Sequence, residues 1–178
     1  MASLEKVLVT MALTLGTAAS VAQTLPDFSG RWAAPEPGPA SGVRGVSIEP
    51  GTMGSGWGTE ITIEHKGSAL AVERAMFSQY DMQPPMRFTY ALDGTESRNV
   101  INMGRGPQEL ISKAAWKDAS LVITTSYRFQ NPHGGKTETN EVTQTLSLDA
   151  SGSLVVTTTR SGALGGQPSS STTTYKKR

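Results

Sequence analysis

The run Leu121-Val122-Ile123-Thr124-Thr125-Ser126-Tyr127-Arg128-Phe129 decides how this chain folds. Successive side chains of a β-strand point to opposite sides, so Leu121, Ile123, Thr125, Tyr127 and Phe129 share one face. Arg128 falls on the other, which makes the first face the inner one. Such strict alternation of apolar and β-branched residues fits a half-buried strand and no amphipathic helix.

The same pattern repeats in both directions. Upstream, Leu110, Ser112, Ala114 and Trp116 line one side of a strand that ends in the turn Lys117-Asp118-Ala119-Ser120. Downstream, Asn131-Pro132-His133-Gly134-Gly135 reads as a loop. Strands over Thr137 to Leu148, Ser153 to Arg160 and Ser169 to Lys177 follow, parted by Asp149-Ala150-Ser151-Gly152 and by the Gly-rich stretch from Gly162 to Pro168. Nearer the start, Thr59 to Lys66 carries Ile61, Ile63 and His65 on one face, and the turn Lys66-Gly67-Ser68 leads into a return strand from Leu70 to about Phe77. Phe88, Tyr90 and Leu92 alternate before Asp93-Gly94, a dipeptide that predicts a hairpin with a partner from Glu96 to Asn102. Met103-Gly104-Arg105-Gly106 turns the chain once more.

Two segments break the pattern. Ala34 to Ser41 is a proline-rich connector that cannot hold a strand interior, and is expected to lie as a flap over one end of the fold. Ser78 to Met86 reads as a second irregular connector, with at most one helical turn near Gln79 to Gln83. About eight to ten strands joined by short turns predict an all-β fold, because parallel crossovers need a dozen or more residues each. An up-and-down antiparallel β-barrel removes the exposed edges of such a meander; a β-sandwich is the alternative.

Composition bounds the chemistry. The chain has 178 residues, enough for one domain, and 16 Lys plus Arg balance 15 Asp plus Glu. That balance leaves no basic surplus for phosphate neutralisation, so nucleic acid is not an expected partner. With no Cys and two His, disulfides, thiolate zinc sites, iron–sulfur clusters and three-His metal centres are excluded. No cofactor and no metal is expected. Met76, Met82, Met86 and Met103 lack the tight spacing of a Met-rich copper site and read as adaptable core filling.

Residues 1–22 read as a secretory signal peptide: Lys6 before the apolar run Val7 to Gly16, then Ser20-Val21-Ala22 as a small-x-small cleavage site. The apolar run is too short to span a bilayer, which needs about 20 apolar residues. The mature domain, residues 23–178, is therefore expected in the periplasm or outside the cell, without a transmembrane segment and as a monomer.

That domain opens with Pro26-Asp27-Phe28-Ser29-Gly30-Arg31-Trp32 and closes with Thr172-Thr173-Thr174-Tyr175-Lys176-Lys177. A Gly-x-Trp on the first strand and an aromatic-Lys final strand resemble the calycins, the group of lipocalins and fatty-acid-binding proteins whose barrels hold small apolar molecules. The resemblance implies that Gly30 and Trp32 form a structural plug at one barrel end, with Lys176, Lys177 or Arg178 as a cation packed on the indole. Thr173 stands where fatty-acid-binding proteins carry the arginine of an Arg-x-Tyr pair, so it implies no carboxylate capture at that spot. The opening, the Leu92 to Glu96 segment, Ala115 to Thr125 and Thr157 to Arg160 are also similar to secreted bacterial proteins that begin Phe-Ser-Gly-x-Trp.

Ligand-contacting candidates follow from side-chain chemistry. His65 shares its face with Ile61 and Ile63, and Arg74 shares one with Leu70 and Val72, so both are expected to point inward. An inward arginine, with Arg87 or Arg105 near the rim, suits an acidic ligand group, since a buried charge must be matched. Tyr80, Asp81 and Met82, beside the stiff Pro84-Pro85, would form a lid or mouth. The glycine-rich run Gly51 to Gly58 lacks the lysine and helix of a phosphate loop, and its Trp57 is expected at the barrel mouth. The expected function is binding of a small, apolar or amphipathic molecule inside the barrel. The alternatives are a barrel enzyme, an isomerase or cyclase using His65, Tyr80 or Asp81 as acid and base, and an envelope interaction protein or inhibitor that uses the Ala34 to Ser41 flap.

Overall fold

The computed structural model describes residues 24–34, 57–77, 82–102, 107–130, 135–162 and 167–178. The signal segment, most of the proline-rich flap, Tyr80, Asp81, Arg105 and His133 lie outside the described residues.

The described chain is all β. Ten strands run β1 (Gly30–Ala33), β2 (Glu60–Lys66), β3 (Ala69–Phe77), β4 (Met82–Ala91), β5 (Asp93–Asn102), β6 (Pro107–Lys117), β7 (Ser120–Gln130), β8 (Thr137–Leu148), β9 (Leu154–Arg160) and β10 (Ser169–Lys177). They make one antiparallel sheet of order β4-β3-β2-β1-β10-β9-β8-β7-β6-β5, curled into a nearly closed up-and-down barrel. The chain thus forms the predicted barrel, and the sandwich alternative falls away.

Alternation sets the inner face as predicted. Leu121 pairs with Leu146 and Ile123 with Gln144, all four buried, while Arg128 is exposed. Ile61, Ile63, Leu70, Val72, Phe88, Tyr90, Leu154, Val156 and Tyr175 complete the core from the other strands. The outer face of β7 to β10 carries threonine and serine hydroxyls that meet across the ladders, as between Thr157 and Thr172 at 3.2 Å. β-Branched side chains suit this pleated surface whether or not they are buried.

Two expectations need correction. Met82 to Met86 is the first half of β4 and not a loop. Proline lacks the N–H of a ladder donor, so it is tolerated on an edge strand, and β4 is an edge of the sheet order. The ladder also slips here: Met86 pairs with Arg74 but Gln83 with Met76, a bulge that leaves Pro84-Pro85 opposite one residue of β3.

The second correction concerns Asp93-Gly94. Gly94 does adopt a positive φ of 84°, yet β4 and β5 form no ladder with each other. β4 pairs with β3 and β5 with β6, and the register of β5 shifts between Asp93 and Glu96. Buried Leu92 donates its N–H to the Ser68 carbonyl at 2.8 Å, so the chain corners from one edge of the sheet to the other. Tertiary anchoring of one residue overrides the local hairpin preference.

Candidate functional site

Antiparallel order places the short turns at one end of the barrel: Lys66 to Ala69, Ala91 to Asp93, Lys117 to Ser120 and Leu148 to Leu154. The segment before β1 crosses this turn end and plugs it. Phe28 is wholly buried, stacked on Trp116 with ring centroids 5.6 Å apart. Its carbonyl accepts the Trp32 indole N–H at 2.9 Å, and Lys177 Nζ lies 5.5 Å from the Trp32 ring centroid. Among the three candidate cations it is therefore Lys177 that covers the indole, a cation–π contact. Gly30 is required beneath it: its φ is +143°, and a Cβ there would stand 2.7 Å from Lys177 Cε.

His65 belongs to this plug. It is 13% exposed, its ring centroid lies 6.3 Å from that of Phe28 and 5.9 Å from that of Trp116, and its Nδ1 is 3.6 Å from Asp27 Oδ1. Ser29 Oγ accepts the His65 backbone N–H at 3.1 Å and donates to the His65 carbonyl at 3.3 Å. The hydroxyl thus grips the main chain and not the imidazole, so Ser29, His65 and Asp27 do not form a nucleophile relay. Hydrogen bonds from Ser29 hold the Asp27 carboxyl below its ordinary range, and the nearby His65 and Lys177 add to this.

Trp57 also sits within the core, 3% exposed, with its indole hydrogen-bonded to the buried Tyr90 phenol. Burial pushes the Tyr90 hydroxyl far above the usual phenol range. Tyr175 donates to the Gly58 carbonyl at 2.8 Å, and burial pushes its pKa up to about 12. Together Tyr90 and Tyr175 hold the segment leading into β2.

The interior changes character away from the plug. On β6 to β9 the buried inner positions become polar: Ser112, Thr125, Asn140, Gln144 and Thr158. Ser112 and Thr125 share a hydrogen bond of 2.9 Å between their hydroxyls. Asn140 Nδ2 donates to the Tyr127 hydroxyl at 2.7 Å, while its Oδ1 accepts from Ser161 Oγ at 2.9 Å. Buried amides and hydroxyls must be matched in this way, and these are.

Arg160 follows Thr158 on the inner face of β9, opposite Val142 of β8. It is half-buried; burial lowers its pKa while the neighbouring Tyr127 acts in the opposite sense. Arg74, as expected, lies on the inner face of β3 between Ile61 and Met86 and is half-buried, with its pKa lowered by desolvation. Arg87 does not join it. Strand alternation turns Arg87 outward, where it pairs with Glu64 at 3.1 Å and Glu73 at 3.4 Å.

The candidate residues therefore separate into groups. Trp57 and His65 are core and plug residues, Arg74 faces the inner space, and Met82 starts β4. The inner polar row was missed, although its signal was present: Asn140 and Gln144 alternate with Val142 and Leu146 on the inward register of β8, where a solid core would be apolar throughout. Among the described residues no group of three or more His, Asp or Glu could hold a metal ion, and no helix is long and apolar enough to cross a membrane.

The chain matches no protein-family model and no curated protein sequence.

Proposed function

We infer that this protein is exported to the periplasm or beyond, and there binds one small amphipathic molecule inside a calycin-like barrel. The observation that supports the reading is the split interior. An apolar floor of Leu70, Leu121, Leu146 and Leu154 lies against the plug, while Thr125, Tyr127, Asn140, Thr158, Arg160 and Arg74 turn polar atoms inward farther along the strands. Inward Tyr127, Arg74 and Arg160 each keep partial exposure to solvent. A barrel of this strand number has room for one small ligand, and a few convergent polar groups above an apolar floor suit a molecule with an apolar body and a polar or acidic head.

The test is native mass spectrometry of protein recovered from its own envelope fraction, with titration of 1-anilinonaphthalene-8-sulfonate (ANS) as a parallel probe. A copurifying small molecule, displaced by ANS, is the expected result. ANS binding is expected to fall at least tenfold in Thr158→Phe, which fills the inner space from β9. A protein that emerges empty and does not bind ANS overturns the reading.

A further inference from the structure

The β4/β5 junction is held in an unusual way. These strands are separated by one residue, Leu92, yet they are the two ends of the sheet order and share no ladder. Side chains bridge them instead. Asn99 on β5 acts as a surrogate peptide group: its Oδ1 accepts the Thr89 N–H at 2.8 Å and its Nδ2 donates to the Thr89 carbonyl at 3.1 Å. One step closer to the turn, Ser97 Oγ accepts the Ala91 N–H at 2.8 Å.

The ion pairs of the two lips run away from the junction. Arg87 on β4 is tied back to Glu64 of β2 and Glu73 of β3. On the β5 side, Arg98 pairs with Glu109 of β6 at 3.0 Å, and Lys113 of β6 pairs with Glu96 at 3.6 Å. Each lip is braced to its own half of the barrel, and among the described residues no ion pair crosses between them. Inside the lips, Met86 and Ile101 are partly buried apolar side chains that pack on the core. The structure has a line of few cross-bonds, flanked by stiff edges and lined on the inside by apolar groups.

We propose that this β4/β5 seam is a lateral gate to the barrel interior, latched by Asn99 and seconded by Ser97. The proposal rests on the reading of the interior as a ligand site. Among the described residues, parting the seam breaks four side-chain hydrogen bonds near the turn, the fourth from Thr89 Oγ1 to Asn99 Oδ1 at 3.5 Å, and leaves both ladders, β3/β4 and β5/β6, intact. Local opening with few broken contacts is the kind of motion that precedes global unfolding. A gate acts on the height of a barrier and not on the bound state, so a weakened latch speeds association and dissociation together.

Stopped-flow binding of ANS, with amide hydrogen exchange read residue by residue, tests this. Asn99→Ala is expected to raise both rate constants about tenfold with the equilibrium Kd within twofold, and to speed exchange at Thr89 and Ala91 while the β7/β8 ladder amides hold. Ser97→Ala, a milder change, is expected to shift the same quantities by a smaller factor and covers the case in which Asn99→Ala does not fold. ANS rate constants indifferent to both variants overturn the gate while leaving the interior site standing. Exchange at Thr89 that never outpaces the β7/β8 ladder in either variant overturns the latch. A wild-type protein that does not bind ANS refutes the interior site itself and, with it, the seam's role in admission.

Discussion

The barrel is completed along two lines, and they are built in opposite ways. β1 and β10 come from opposite ends of the domain, yet they meet in a backbone ladder, Trp32 with Lys177 and Ala33 with Lys176, extended by the Arg178 N–H to the Arg31 carbonyl at 2.9 Å. β4 and β5 are successive strands, yet only side chains join them. Closeness in sequence did not decide where the wall is strong. The β1/β10 line is backed by the Phe28, Trp32 and Lys177 plug, whereas the β4/β5 line has Leu92 pulled to the Ser68 carbonyl and its strands engaged elsewhere. A ladder forms where packing brings two edges into register, and local turn preference yields to it.

The contrast can be broken first at the plug. Trp32→Ala removes a buried indole, its hydrogen bond to Phe28 and the platform under Lys177, and is expected to cost about 3–5 kcal/mol in urea unfolding. A loss below about 1 kcal/mol would mean that the ladder alone holds β1 to β10. Gly30→Ala is expected to cost about 1–3 kcal/mol, from positive φ and from the collision with Lys177. Shortening Lys177 in the same protein should return only the collision part.

The seam should be softer. Asn99→Ala exposes the Thr89 peptide to water, which can satisfy it, so the expected loss is about 0.5–1.5 kcal/mol, below either change at the plug. A loss equal to that of Trp32→Ala would erase the distinction between the two lines. Tyr175 tests the plug side through pH. Its folded pKa is raised to about 12 from the ordinary phenol value of about 10, so its contribution is complete below the unfolded value and is lost as pH rises through the folded one. Wild type should therefore lose stability across pH 10–12, and Tyr175→Phe should lose less over that window while being slightly weaker at neutral pH.

The smallest effect is expected at Asp27, whose side chain is 73% exposed and screened by solvent. Its folded pKa is lowered, so its contribution is present above the unfolded value and fades as pH falls through the folded one. Asp27→Asn should flatten a slight acid-side slope of Tm below about pH 4. No change in that slope would detach Asp27 from the plug.

Much of this was legible along the chain. Period-two alternation from Leu121 to Phe129 identified the inner face of β7, and the Gly-x-Trp opening marked Gly30 and Trp32, because both signals are local and repeat the geometry of a strand. Other features resisted local reading. Pro84-Pro85 looked like a loop because proline cannot sit in a central strand, and nothing nearby said that β4 would be an edge. Asp93-Gly94 looked like a hairpin because its backbone preference was visible and the Ser68 carbonyl that captures Leu92 was not. His65 read as an inner-space residue, since its face was evident but not the arrival of Phe28 and Trp116 around it.

The division follows from the range of the forces involved. Face, period, turn chemistry and the absence of cysteine are properties of a residue and its near neighbours, and they determined an all-β, disulfide-free chain with a known inner side. Which edges would ladder, where the polar row of Ser112, Thr125, Asn140 and Gln144 would gather, and that Asn99 would stand in for a missing strand bond depend on residues brought together from distant strands. Those choices were made by packing and by the need to match buried amides and hydroxyls, conditions that exist only once the sheet has curled.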